Sequence, residues 1–425
     1  MLEQEKVLTT ESAERIKNYY ATQTTCTGGA TWAITVFSII GALLIGGGII
    51  LLFAHNWDEL SRNTRAFISF LPILLGAALS FTALLRNGKT ALREAAGLFH
   101  TLAIGSSIAL IGQTYHLPSD VPAFLLIWAL LTAPLIFLLS STGAYLLYLA
   151  LITAWTGLAQ NEYRQAVGYW PLLIPALFYL RQRLQQDRHT PASLLALYGL
   201  LFSITIALGI VFERALPGLW TMAYAALLTG FYLLGITYYK EEDGWSNPLK
   251  LFGVVSIPIL AYLFTWTHFW DDIGWNYCRI DWKHQWWGIW MDGGITLALL
   301  SGWATVAVKA FRKNSTETAL LALFPLLAAV CFLIGSASKA AIVANALIFN
   351  VYFLSLGILF VVLGCRSLKL RRLNGGMFLL SLLIITRFFD TEFGFIARGV
   401  AFIVLGASFL AANLIISRKK KEVIS

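Results

Sequence analysis

Charge is scarce in this chain. Asp, Glu, Lys and Arg make up only 12% of its 425 residues, where a water-soluble chain carries roughly a quarter. That shortage excludes two or three water-facing globular domains, because too little polar surface exists to cover them. Cysteine is also rare. The four residues Cys26, Cys278, Cys331 and Cys365 form no close pair and follow no metal-ligand spacing. Only Cys278 is expected on the outer side of a membrane, so no outer intramolecular disulfide can form. Equally missing are a Walker-type phosphate loop, a dinucleotide glycine fingerprint following a strand, and a His-Glu-x-x-His helix. An ATP-driven pump within this chain alone is thereby excluded, and neither cofactor nor metal is expected.

Apolar residues are plentiful. They reach 58% of the chain, with a mean hydropathy of +0.71, and such a composition calls for lipid as the main solvent. Within a bilayer each backbone N–H and C=O needs an internal partner, which leaves helices or a closed barrel. Barrel strands alternate in character and last about ten residues. The apolar runs here are longer and unbroken, at 32–54, 66–85, 95–112, 121–139, 142–159, 169–180, 192–211, 218–239, 248–267, 289–308, 318–336, 340–364, 373–386 and 395–416. Most approach the ~20 residues that cross a ~30 Å core, and those at 169–180 and 373–386 are short. The expected fold is all-α, a polytopic transmembrane helical bundle of about fourteen spans.

Cation placement orients the bundle, since short cytoplasmic loops collect Lys and Arg. Alternate segments carry Lys6, Arg15 and Lys17; Arg86, Lys89 and Arg93; Arg181, Arg183 and Arg188; Lys240 and Lys250; Lys309, Arg312 and Lys313; Arg366, Lys369, Arg371 and Arg372; and Arg418 to Lys421. The segments between them are poorer in cations. Both termini are therefore expected to be cytoplasmic, which requires an even number of spans. The net charge of +9 then belongs to inner loops facing anionic headgroups, so membrane lipids rather than nucleic acid are the expected partners.

Three segments follow: 1–31 as a cytoplasmic lead-in with a short helix near Thr10 to Tyr20, 32–416 as the membrane domain, and 417–425 as a basic tail. The lead-in has no apolar core of a signal peptide, so no cleavage is expected before Trp32.

Ionisable groups near a membrane are costly to keep and mark candidate sites. On the expected outer side they gather in four places: His55-Asn56-Trp57-Asp58-Glu59 with Arg62 and Arg65; Gln113, Tyr115 and His116 with Asp120; His268, Asp271, Asp272, Asp281, Lys283 and His284; and Arg387-Phe388-Phe389-Asp390 with Glu392 and Arg398. The runs Phe53 to Asp58, Ala109 to His116 and Arg387 to Asp390, with Thr9 to Ile16 and Trp128 to Ser140, resemble the domain of unknown function 2157 family of bacterial predicted membrane proteins. That resemblance implies a bacterial cytoplasmic-membrane location and no established activity or catalytic residue.

Each cluster has a plainer role to weigh. Trp57, Trp266, Trp270, Trp275, Trp282, Trp286, Trp287 and Trp290 suit interface anchoring. Asn56 and Asp58 suit a helix-capping turn as well as binding. His116 with Asp120 has the chemistry of a proton relay, or of a solvated loop. Arg387 requires an anion if buried, with Asp390 or Asp58 the natural partners, and a salt bridge between spans would serve equally. His268, Asp271, Asp272 and His284 follow no metal motif. Asn345 is expected to bond across helices, and Lys339 to reach the interface.

The leading expectation is a transporter or flippase-like protein with a substrate site of Asn56, Trp57, Asp58, Gln113, Tyr115, His116, Asp120, Arg387 and Asp390. The alternative is a non-catalytic scaffold or partner subunit bound to another envelope membrane protein. A third reading is an enzyme acting on a lipid-linked substrate through Asp58 or His116.

Overall fold

The computed structural model describes residues 60–85, 90–118, 120–163, 166–212, 218–239, 244–271, 273, 286–311, 316–335 and 339–390, with isolated positions 403, 406, 407 and 410. The elements among them are helical, with no strand. In chain order they are α1 (Arg62–Leu85), α2 (Thr90–Thr114), α3 (Val121–Leu139), α4 (Thr142–Tyr163), α5 (Tyr169–Gln186), α6 (Pro191–Val211) and α7 (Leu219–Tyr238). Then follow α8 (Pro248–Leu263), α9 (Trp286–Phe311), α10 (Thr316–Ala322), α11 (Phe324–Ile334), α12 (Lys339–Ser367) and α13 (Leu370–Asp390).

Among the described residues nine helices are long and apolar enough to cross a membrane, the broken pair α10–α11 counted as one. The chain is thus a multi-pass helical membrane protein. Of the expected fourteen runs, 32–54 lies outside the described residues, and 395–416 does too apart from positions 403, 406, 407 and 410. The two short runs belong to longer helices: α5 continues through Arg181 and Arg183 to Gln186, and α13 starts at Leu370 ahead of Arg371 and Arg372. Their apolar stretches look short because charged residues share the same helix. The run 318–336 is interrupted between Ala322 and Phe324, beside Pro325, which has no N–H to continue the ladder.

The chain divides into two compact units, one of Met1–Pro72 with Ser106–Pro118 and the other of Ile73–Gly105 with Ser119–Ser425. Each is held differently. In the first, the Ser61 hydroxyl accepts from Thr64 N–H (3.3 Å) at the start of α1, and the Arg62 guanidinium lies 4.8 Å from the Tyr115 ring centre.

The second unit has two apolar cores. One gathers α3 to α6 around Ile136, Tyr145, Tyr148, Ile152 and Tyr169. In the other, Phe264, Trp270, Phe324, Phe349 and Phe353 join α8, α11 and α12 to the short helix Thr267–Trp270. Trp270, expected at the interface, is instead fully buried. Its ring stacks on Phe349 at 5.7 Å and its indole N–H donates to Phe264 C=O (2.8 Å), so both the apolar ring and its polar tip are satisfied inside the core.

Local sequence sets several helix ends. Asn247 caps α8 by accepting from Lys250 N–H (3.0 Å), and its amide donates to Gly235 C=O on α7 (3.1 Å). Glu94 of α2 serves α4: its carboxylate accepts from Thr142 N–H (2.9 Å), Gly143 N–H (3.0 Å) and the Ser141 hydroxyl (2.9 Å). A negative group at a helix start also favours the positive end of the dipole.

Candidate functional site

Of the residues expected to form an outer site, Asn56, Trp57 and Asp58 lie outside the described residues, as does the Asp390 side chain. Gln113, Tyr115 and His116 end α2. There Leu117 N–H reaches back to Gly112 C=O (3.0 Å) and His116 adopts φ +48°, the left-handed position that closes a helix and that glycine usually fills. His116 therefore has a backbone task whatever its ring does. Asp120 likewise caps α3, accepting from Ala123 N–H (2.8 Å).

Arg387 is half-buried near the end of α13. Its Nε donates to Asn350 Oδ1 on α12 (3.1 Å), and a terminal nitrogen donates to Thr265 C=O, just past α8. Its guanidinium also lies 4.8 Å from the Trp266 ring centre, within cation–π range. Asn350 in turn donates to the same Thr265 carbonyl (3.0 Å). Through these described acceptors α12 and α13 are joined to the end of α8 at one point; the anions expected for Arg387, Asp58 and the Asp390 side chain, lie outside the described residues. Asn345, one further turn back on α12, bonds across to Cys331 C=O (3.1 Å) on α11.

Farther along, the same helices enclose a groove of about 560 Å³, within the range of small-molecule sites. From α8 it takes Leu251, Val254, Val255, Pro258, Ile259 and Tyr262. From α13 come Gly375, Phe378, Leu379 and Leu382, spaced to fall on one helical face. Phe353 and Phe360 of α12 complete the apolar wall. The far end is different. Lys250, Lys369, Arg371 and Arg372 line it together with Glu317, whose carboxylate lies 3.5 Å from Arg372.

Neighbouring glycines set this shape. A Cβ on Gly376 would fall 2.5 Å from Val361 N and 2.7 Å from Gly357 O on α12, whereas one on Gly375 would meet nothing within 4 Å. Gly376 brings α13 against α12, and Gly375 leaves the groove open.

Outside the groove, His268 Nδ1 and Asp271 Oδ2 form an exposed pair at 2.8 Å. Among the described residues no group of three or more potential ligands could hold a metal ion. Sequence reasoning overlooked His100, which is in the middle of α2 and whose Nδ1 is 2.9 Å from the Ser80 hydroxyl on α1. It also overlooked Asp292, fully buried within α9. Their position inside apolar runs was the available signal.

Residues 1–145 match the family model described as "Predicted membrane protein (DUF2157)". Over those residues the chain is similar to that family. This region ends within α4, so it includes the α2 terminus at His116 but neither the Arg387 joint nor the groove. No curated protein and no solved structure matches the chain.

Proposed function

We propose that this multi-pass protein is a transporter or flippase-like protein of the bacterial cytoplasmic membrane, acting on an amphiphile through the groove of α8, α12 and α13. One observation carries the reading: α8 and α13 are tied through Arg387 at one end and parted around a cavity toward the other, while α13 stays packed on α12. A bundle closed on one side and open on the other has the geometry that alternating access requires. Cation bias assigns the open, Lys- and Arg-rich end to the cytoplasm, with both termini on that side. Arg387 then acts as the outer clamp. The polar set Asn56, Trp57, Asp58, Gln113, Tyr115 and His116 is proposed as substrate contacts on the outer face, with Asp120 and Asp390 as polar neighbours in sequence.

The test is a lipid-movement assay in liposomes containing the full chain. Outer-leaflet phospholipids bearing a dithionite-quenchable headgroup report exchange between leaflets. Faster exchange than in protein-free liposomes, lost when Gly375→Leu fills the groove, is the expected result. Exchange no faster than in protein-free liposomes sinks the transport reading and favours a scaffold.

A further inference from the structure

We propose that the groove holds one anionic membrane phospholipid, its acyl chains along α8 and α13 and its phosphate among Lys250, Lys369, Arg371 and Arg372. This rests on the reading of the groove as a working site and adds the headgroup class and orientation of the occupant.

Depth, lining and charge all point to this occupant. From Arg371 to Leu382 the wall of α13 rises about 16 Å at ~1.5 Å per residue, roughly half of a ~30 Å hydrocarbon core. The groove is as deep as one leaflet. Along that depth its described side chains are apolar apart from the Tyr262 hydroxyl near the Arg387 end, and the four lining cations lie at the other end. An acyl chain has nothing to hydrogen-bond and fits such a wall without leaving polar groups stranded. Among the described lining residues the one carboxylate, Glu317, lies beside Arg372. Lys369 and Arg371 are solvent-exposed. A phosphate offers several acceptor oxygens and gains charge-assisted hydrogen bonds from guanidinium and ammonium groups together. A zwitterionic lipid would bring a cationic group into the same cluster and lose part of that attraction. Glu241, Glu242 and Asp243 immediately precede Gly244 in sequence, so the opposing outcome, a neutralised mouth without headgroup preference, has a definite chemical cause.

The experiment uses the full chain in nanodiscs of equal phosphatidylglycerol and phosphatidylcholine, released into native mass spectrometry to count retained lipids. Wild type is expected to retain phosphatidylglycerol about tenfold over phosphatidylcholine, with the preference falling about fivefold per cation removed in Lys369→Ala and Arg371→Ala. Arg371→Gln serves if the alanine variants melt early. Gly375→Leu should lose both lipids while its melting temperature holds. Equal retention of the two lipids by wild type overturns the proposal. So does unchanged retention in Gly375→Leu, which would mark the lipids as merely surrounding the bundle. Stabilisation by inorganic phosphate to the same extent as by phosphatidylglycerol would also overturn it, since an anion site alone would then suffice. Selective binding without leaflet exchange keeps this inference and sinks the transport reading. Exchange without headgroup preference does the reverse.

Discussion

Arg387 and Asn350, on adjacent antiparallel helices, meet at 3.1 Å and share the carbonyl of Thr265 as an acceptor. Because this joint satisfies each group through the other, its two members should not act independently. Arg387→Ala and Asn350→Ala are each expected to cost about 1–2 kcal/mol. The double variant should cost less than their sum, measured by melting in detergent. Arg387→Lys should rescue little, since lysine lacks both the Nε fork and the flat face that lies near Trp266. Strict additivity would mean that the joint is not a unit.

Two adjacent glycines on α13 should respond oppositely. Gly376→Leu drives a side chain into the backbone of α12 and should destabilise by several kcal/mol. Gly375→Leu points into open space and should melt within about 0.5 kcal/mol of wild type. Equal loss from both would contradict the groove's shape.

His116 holds φ +48°, which costs a side-chain-bearing residue about 1 kcal/mol. His116→Gly should therefore raise stability slightly and His116→Val lower it. If lipid exchange in liposomes survives His116→Gly, the imidazole has no part in it and only the backbone position matters.

Glu94→Ala removes three hydrogen bonds from the start of α4 and should lower stability by about 1–2 kcal/mol. Glu94→Gln should recover only part, because its amide nitrogen cannot accept. A melting temperature unchanged in both variants would show that water replaces the cap.

Cys365 is free and exposed at the cationic end of α12. With the other three cysteines changed to serine, a membrane-impermeant maleimide should label it in inverted vesicles and spare it in intact cells. The opposite pattern would reverse the proposed orientation and place the groove mouth outside.

Legibility in the sequence was uneven for reasons visible at single residues. Runs such as 121–139 and 192–211 announce their helices because lipid rewards unbroken apolar length. Helix α13 was nearly hidden, since Arg371, Arg372 and Arg387 share it with the apolar stretch between them. The candidate site suffered most. His116 and Asp120 carry site-like chemistry but have backbone and capping tasks. The groove-lining Leu251, Phe378 and Leu382 look like any other membrane-facing residues.

Composition and run length by themselves determined that this chain is helical, multi-pass and membrane-embedded, because the cost of unpaired backbone groups in hydrocarbon depends on local sequence alone. Only tertiary structure decided which helices meet. That Arg387 would find Asn350 and Thr265, or that α8 and α13 would part around a cavity, depends on where a glycine allows backbones to touch and where it leaves a gap. Such packing choices join residues distant in the chain, so no local pattern records them.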